Sequence, residues 1–249
     1  MIMPFTVSHS VVALAARKTR LPVAAVAVGA MAPDAVLFVP FLPKYAVTHS
    51  WWGVFTIDLA VSLVVLVTWW WLIRPAWATA VPGVRNRVPE AWGRPERVPA
   101  RRIVAVVAGC VAGSVTHVVW DAFSHEHGWA VRRLPFLRDV IAGHPVYSIV
   151  QDASSVLGLL ALLAAAVLWW RRAPRREVAP LRLPERTLVT LATALIVVVL
   201  VANAVIVLAV GGGAADIVVV LAYRLPVAIA AVLTVGAISL ITTRTLASR

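Results

Sequence analysis

Cysteine, charge and long polar stretches are all scarce in this sequence, and each scarcity removes a class of protein. The single cysteine, Cys110, lies inside an apolar run. It has no partner for an intramolecular disulfide, and no cysteine-based metal site can be built from it. Packing as a small apolar residue is the role that remains. Charged residues make up 14% of the chain, against about 25% in ordinary soluble domains, while apolar residues reach 61% against roughly 45–50%. No stretch is polar enough to form a second, soluble domain, and no internal repeat is visible. No basic region precedes the first apolar stretch, so a cleaved signal peptide is not expected. The net charge of +12 does not signal nucleic acid, because the basic residues stand at the ends of apolar runs and not in a patch beside aromatics. The expected partners are membrane lipids; the sequence identifies no protein partner.

What is present is hydrocarbon. The run Leu188–Val210 carries almost no polar face, which a soluble helix would need. The expected fold is all-α, a polytopic membrane helical bundle. Six spans are expected, roughly Leu21–Leu42, Val54–Ile73, Ile103–Phe123, Tyr147–Trp170, Thr187–Val210 and Ile217–Thr243, each close to the about 20 residues that cross a bilayer. The apolar segment Phe5–Ala16 is too short to cross and is expected as a half-helix, paired with the first span through the basic turn Arg17, Lys18, Thr19, Arg20. In this division residues 1–170 carry the site, and 171–249 hold a basic linker and two C-terminal helices.

The loops suggest an orientation. With alternating spans, 18 of the basic residues fall on one side, in the linkers after Ile73 and Trp170, the early turn and the tail. Only Lys44, Arg132, Arg133 and Arg138 fall on the other, and Arg224 lies inside the last span, within snorkelling reach of its outer end. The positive-inside rule then places the basic linkers in the cytoplasm of a cell-membrane protein. Trp69, Trp70 and Trp71 before Arg74, and Trp169 and Trp170 before Arg171, sit at the headgroup level that indoles prefer. The linker Arg74–Arg102, rich in Pro and Arg, is expected to be loosely ordered.

The polar residues inside this apolar frame are unevenly placed. All six histidines lie in the first 150 residues, none of them in a basic linker, and Asp34, Asp58 and Asp121 fall near apolar spans. Ionisable groups at such positions are costly and face a bundle interior or a watery cavity. At helical rise, His9 would stand about 12 Å, Asp34 about 21 Å, His117 about 22 Å and Asp121 about 28 Å above the basic side, with His49 at the outer end of the second span. His117 and Asp121 are four residues apart and share a helix face, which His125 continues. Together with His9, Asp34 and His49 they offer nitrogen and oxygen ligands suited to a divalent metal, zinc first. Blander roles exist for each: a hydrogen-bonded His–Asp pair, a cap at Asp34 beside the helix-breaking Pro33, an N-cap from His49 and Ser50, plain loop positions for His127 and His144, and a buried pair or proton path for Asp58.

These residues carry a resemblance. Met3–His9, Gly29–Asp34, Thr48-His49-Ser50, Thr116–Asp121 with Gly128-Trp129, and the stretches Pro145–Gln151 and Ser154–Gly158 resemble the domain-of-unknown-function 4184 membrane family, over about the first 170 residues. The order His, Pro-Asp, His-Ser, His–x3–Asp is also similar to the membrane-bound metal-dependent hydrolases, a group remotely like zinc-dependent phospholipase C. That resemblance implies that His9, Asp34, His49, His117 and Asp121 are metal ligands. The zinc phospholipases carry a His–x3–Glu pair, which this sequence lacks. The function expected on these grounds is a metal-dependent hydrolase of a lipid or lipid-linked phosphoester at the outer leaflet. Asp58 would take the proton, and Arg132 or Arg133, beside Trp129, would hold a lipid phosphate. The alternatives are a non-enzymatic protein stapled by the same cluster, and a cation- or proton-coupled transporter.

Overall fold

A computed structural model of the chain describes residues 6–247. Helix α1, Thr6–Ala16, contains a 3-10 turn at Ser10–Val12. Helix α2 is Val23–Gly29, followed by a 3-10 segment at Ala32–Leu37 and a single helical turn at Tyr45–Thr48. Then come α3, Trp51–Ala78; α4, Ala100–Ser124, with a short helix Trp129–Arg133 after it; α5, Val146–Arg172; α6, Leu183–Ala209; and α7, Ala214–Leu246. The strands among the described residues are Val140–Ile141 and His144–Pro145, an antiparallel pair. Its two-residue turn, Ala142-Gly143, has positive φ at both positions, as tight hairpins require. The fold is all-α, and the helices α3 to α7 are long and apolar enough to cross a membrane. The chain is an integral membrane protein.

Five of the six expected spans are therefore continuous helices; the first is not. Leu21–Leu42 is broken into α2 and the 3-10 segment. Pro33, Pro40 and Pro43 each lack a backbone N–H and crowd the preceding turn, so a helix cannot run through them. Within α3 the turn Trp69–Ile73 widens to π geometry. Pro75 lies four residues after Trp71 and cannot donate to its carbonyl, a common cause of such widening.

The chain divides into two compact units, Met1–Leu66 with Val98–Val167, and Val67–Arg97 with Leu168–Arg249. In the first unit α1 folds back on α2 through the basic turn, burying Ala13, Ala16 and Val26 together. Helix α2 packs against α4 at backbone distance. A Cβ at Gly29 would collide with the Cys110 carbonyl, and one at Gly113 with the Val26 carbonyl. Ser114 Oγ donates to the Gly29 carbonyl at 3.0 Å. This is the small-residue packing that Gly109-xxx-Gly113 suggests in the sequence, and Cys110 is buried within it as a small apolar residue.

In the second unit Trp77, Ala76, Ala80, Ala237 and Leu240 form a buried core between α3 and α7. The Trp77 indole N–H donates to the Leu233 carbonyl at 2.8 Å. Arg244 donates to Glu185 Oε1 and to Thr79 Oγ1, both at 2.7 Å. The linker after α3 is folded, contrary to expectation. Arg74 is buried and pairs with Glu96 and the Arg94 carbonyl, and the Arg87 guanidinium lies 3.9 Å over the Trp170 ring while its Nε donates to the Trp170 carbonyl. These pairings give the arginines partners that composition alone does not reveal.

Candidate metal centre

The polar residues of the first unit converge on one point, and each is aimed by local chemistry. Pro33 opens the 3-10 segment and sets Asp34 into the interior, fully buried. Thr6 Oγ1 donates to Asp34 Oδ2 at 2.7 Å, leaving Oδ1 without a hydrogen-bond partner among the described residues. Ser50 caps α3 by accepting from the Gly53 N–H at 3.0 Å. His49 is not the cap; it turns inward, its Nδ1 donating to the Tyr45 carbonyl at 3.1 Å while the Tyr45 ring stacks on it at 3.6 Å. His117 and Asp121 lie on the buried face of α4. His117 Nδ1 donates to the Ala30 carbonyl at 2.8 Å. A nitrogen facing a carbonyl must carry the proton, so both imidazoles hold Nδ1–H outward and present Nε2 to the centre.

The result is a set of four facing donor atoms. His49 Nε2 and His117 Nε2 are 3.2 Å apart. Asp34 Oδ1 stands 3.5 Å from each of them, and Asp121 Oδ2 stands 3.3 Å from each. The four atoms all lie within 4.8 Å of one another. Donors held about 2.0–2.2 Å from a zinc ion would stand about 3.3–3.6 Å apart at the corners of a tetrahedron. The edges that meet at the two Nε2 atoms, 3.2 to 3.5 Å, have those dimensions. Fixing the far nitrogen of a histidine to a carbonyl is also the usual support for a metal ligand.

Around this set, His9 Nε2 and His125 Nδ1 stand 3.5 and 3.6 Å from the other oxygen of Asp121, Oδ1. The His9 ring lies 4.0 Å from that of His117. Burial and the neighbouring His117 imidazole push the His9 imidazole down to about 4, so it is neutral at pH 7. At His49 burial opposes the charged form, but the carboxylates of Asp121 and Asp34 outweigh it and raise its pKa. The site thus favours positive charge at its centre. Asp58 is fully buried, and neither of its oxygens has a hydrogen-bond partner among the described residues. It lies outside the set of four. Arg132 and Arg133 lie on the short helix after α4, Arg133 5.1 Å over the Trp129 ring. His127 is exposed in a loop, and His144 is exposed on the hairpin.

Sequence reasoning missed several supports. Tyr45 Oη donates to Asp121 Oδ2 at 3.0 Å, and Gln151 Nε2 donates to His125 Nε2 at 3.3 Å. Thr6 and Gln151 both fall in stretches that carry the family resemblance, and Tyr45 stands one helical turn before His49; those positions were the available signal.

The chain matches the family described as domain of unknown function (DUF4184) over residues 3–247 and belongs to it. The match runs past the first 170 residues, so α6 and α7 are part of the family pattern too. No curated protein and no solved structure matches the chain.

Proposed function

We propose that Asp34, His49, His117 and Asp121 bind one divalent metal ion, zinc by their donor set, and that the protein is a membrane-embedded metal-dependent hydrolase of a lipid or lipid-linked phosphoester. The observation that carries this reading is the pair of Nε2 atoms 3.2 Å apart, each with its Nδ1 proton committed to a carbonyl. Two such lone pairs repel unless a proton or a metal ion stands between them, and the two carboxylates around the pair favour the divalent ion. If a further position stays open to water, the bound ion would supply a water activated near neutral pH and a Lewis acid for a phosphoryl oxygen. The chain's own residues supply the rest. His9 and His125 stand beside the outer oxygen of Asp121, at 3.5 and 3.6 Å. Asp58, a buried carboxylate with no hydrogen-bond partner among the described residues, accepts the proton. Arg132 and Arg133 beside Trp129 take the lipid phosphate. The basic bias of the loops supports a reading with the linkers in the cytoplasm and the site toward the outer face of the cell membrane.

The test is the metal content of detergent-purified protein beside a His117→Ala/Asp121→Ala variant, followed by phosphate release from lipid phosphoesters. Stoichiometric metal and activity in the parent, both lost in the variant, support the reading. A parent that stays metal-free when metal is supplied overturns it. One observation favours a second reading: four protein donors close a tetrahedron, as structural zinc sites do. The ion would then staple the 3-10 segment, the Tyr45 turn and α4 together without catalysis. Stripping the metal would lower stability, and a broad substrate panel would show no hydrolysis.

A further inference from the structure

A groove in the first unit runs along the helices to His9, beside the cluster. Its volume is about 440 Å³, within the size range of small-ligand sites. It lies between α1, α4 and α5. Val11, Val12 and Leu157 form its apolar part, and His9, Trp120 and Ser154 its polar end. The polarity is ordered along the helices. On α5, Ser154 precedes Leu157 by about one turn, and on α1, His9 precedes Val12 by about one turn. Across the polar end the Trp120 indole N–H donates to Ser154 Oγ at 3.1 Å, tying α4 to α5. Gly158 lets α1 approach α5, since a Cβ there would stand 3.0 Å from the Ser8 carbonyl oxygen. His9 belongs to both places. It lines the groove, and its Nε2 is 3.5 Å from Asp121 Oδ1.

We propose that this groove binds one acyl chain of a bilayer phospholipid and so delivers the lipid head to the His9 side of the cluster. The occupant follows from the surroundings. Helices α4 and α5 are long and apolar enough to cross the membrane, so hydrocarbon is the phase that meets the groove. Leu157 and Trp120 are 64% and 44% exposed toward it. The apolar part carries no charge to bind a polar chain, while the opposite end offers the His9 imidazole for a polar head. A lipid entering sideways would reach His9 with its chain still in an apolar environment, which avoids the cost of drawing it through water. The proposal deepens the hydrolase reading and rests on it only for what happens to the head once delivered.

The experiment uses the full chain in phosphatidylcholine vesicles containing phosphatidic acid with a diazirine on its acyl chain. After irradiation the labelled peptides are mapped by mass spectrometry, and metal content is measured on the same samples. The expected result is saturable labelling at Val11–Val12 and Leu157. Unlabelled long-chain phosphatidic acid competes it away, and glycerol phosphate, the head alone, does not. Leu157→Trp, at an exposed position that tolerates a large side chain, lowers the labelling by about tenfold with metal content unchanged. Thr116→Trp, from the opposite wall, does the same. Labelling that is unsaturable and spread over all the long helices is annular lipid and overturns the proposal. So does labelling indifferent to both substitutions, or a groove crosslinked to a second copy of the chain in place of lipid. Hydrolysis with bound metal but no saturable labelling removes the groove alone. Saturable labelling on a protein that binds no metal keeps the groove and removes the hydrolase.

Discussion

Removing one hydroxyl tests whether Asp121 Oδ2 is a ligand atom. Tyr45 Oη donates to that oxygen at 3.0 Å, and the same oxygen stands 3.3 Å from both Nε2 atoms of the cluster. Tyr45→Phe deletes this bond and keeps the ring, which stacks on His49 at 3.6 Å, and the Tyr45 carbonyl that orients His49 is backbone. Loss of a hydrogen bond to a metal ligand weakens metal binding by about 10- to 100-fold, or about 1.4–2.7 kcal/mol. Tyr45 is 38% exposed, so water can replace part of the lost hydroxyl, which places the expected effect near the lower figure, about tenfold. The assay is competition for zinc between the detergent-purified protein and a chelating dye of known affinity, parent and variant side by side. An unchanged dissociation constant, with metal still lost on Asp121→Ala, would refute the assignment of Oδ2 as the bound atom. Thr6→Val serves as the matched comparison, since Thr6 supports Asp34 through the oxygen that faces away from the cluster.

Three further outcomes are expected. Stripping metal with a strong chelator lowers the midpoint of thermal unfolding, and returning zinc at about 100 times its dissociation constant restores about 2.7 kcal/mol; a midpoint indifferent to metal would mean the cluster binds none. Gly113→Ala raises intrinsic helix propensity by about 1 kcal/mol, yet it is expected to lower both stability and zinc affinity. The new Cβ meets the Val26 carbonyl and the Ala30 nitrogen, backbone atoms that cannot yield, and Ala30 holds His117; a stabilised variant would show that α2 and α4 are not packed this closely. Glu185→Gln weakens its hydrogen bond with Arg244 from a charged to a neutral one and costs about 1 kcal/mol by denaturant unfolding, while metal content stays at the parental level because both residues belong to the second unit and the cluster to the first.

The long helices were legible because an apolar window of spanning length fits a membrane helix and little else. The first span misled for a definite reason. Hydropathy counts side chains, whereas Pro33, Pro40 and Pro43 break the helix through the backbone. The depth assigned to Asp34 assumed a helical rise that does not exist there, although Asp34 still reaches the cluster. The pairing of His117 with Asp121 was legible from their spacing alone. The supports Thr6, Tyr45 and Gln151 were not, because a hydroxyl or amide acquires such a role only through partners distant in sequence. The linker after α3 failed in the same way: its arginines read as solvated until Glu96 and the Trp170 ring are seen to hold them.

The break in the first span is also what makes the site possible. A continuous helix would satisfy the Ala30 carbonyl internally; interrupted at Gly29, the chain leaves that carbonyl free to accept from His117 and sets Asp34 against both imidazoles. Charge balance then argues for a metal over a proton network. Asp34 and Asp121 bring two negative charges into a buried set, and their oxygens face Nε2 atoms only 3.2 Å apart. One proton fits between those two nitrogens. A second would place two N–H groups head to head, since each Nδ1 already spends its proton on a carbonyl. A divalent ion with two carboxylates and two neutral imidazoles is neutral as a whole, the arrangement that costs least inside a membrane protein. Titration of zinc into the metal-free protein should therefore release about one proton from this pair at neutral pH. Release of none would mean the imidazoles are already neutral and some other cation balances the carboxylates; release of two would contradict the tautomers that the Ala30 and Tyr45 carbonyls impose.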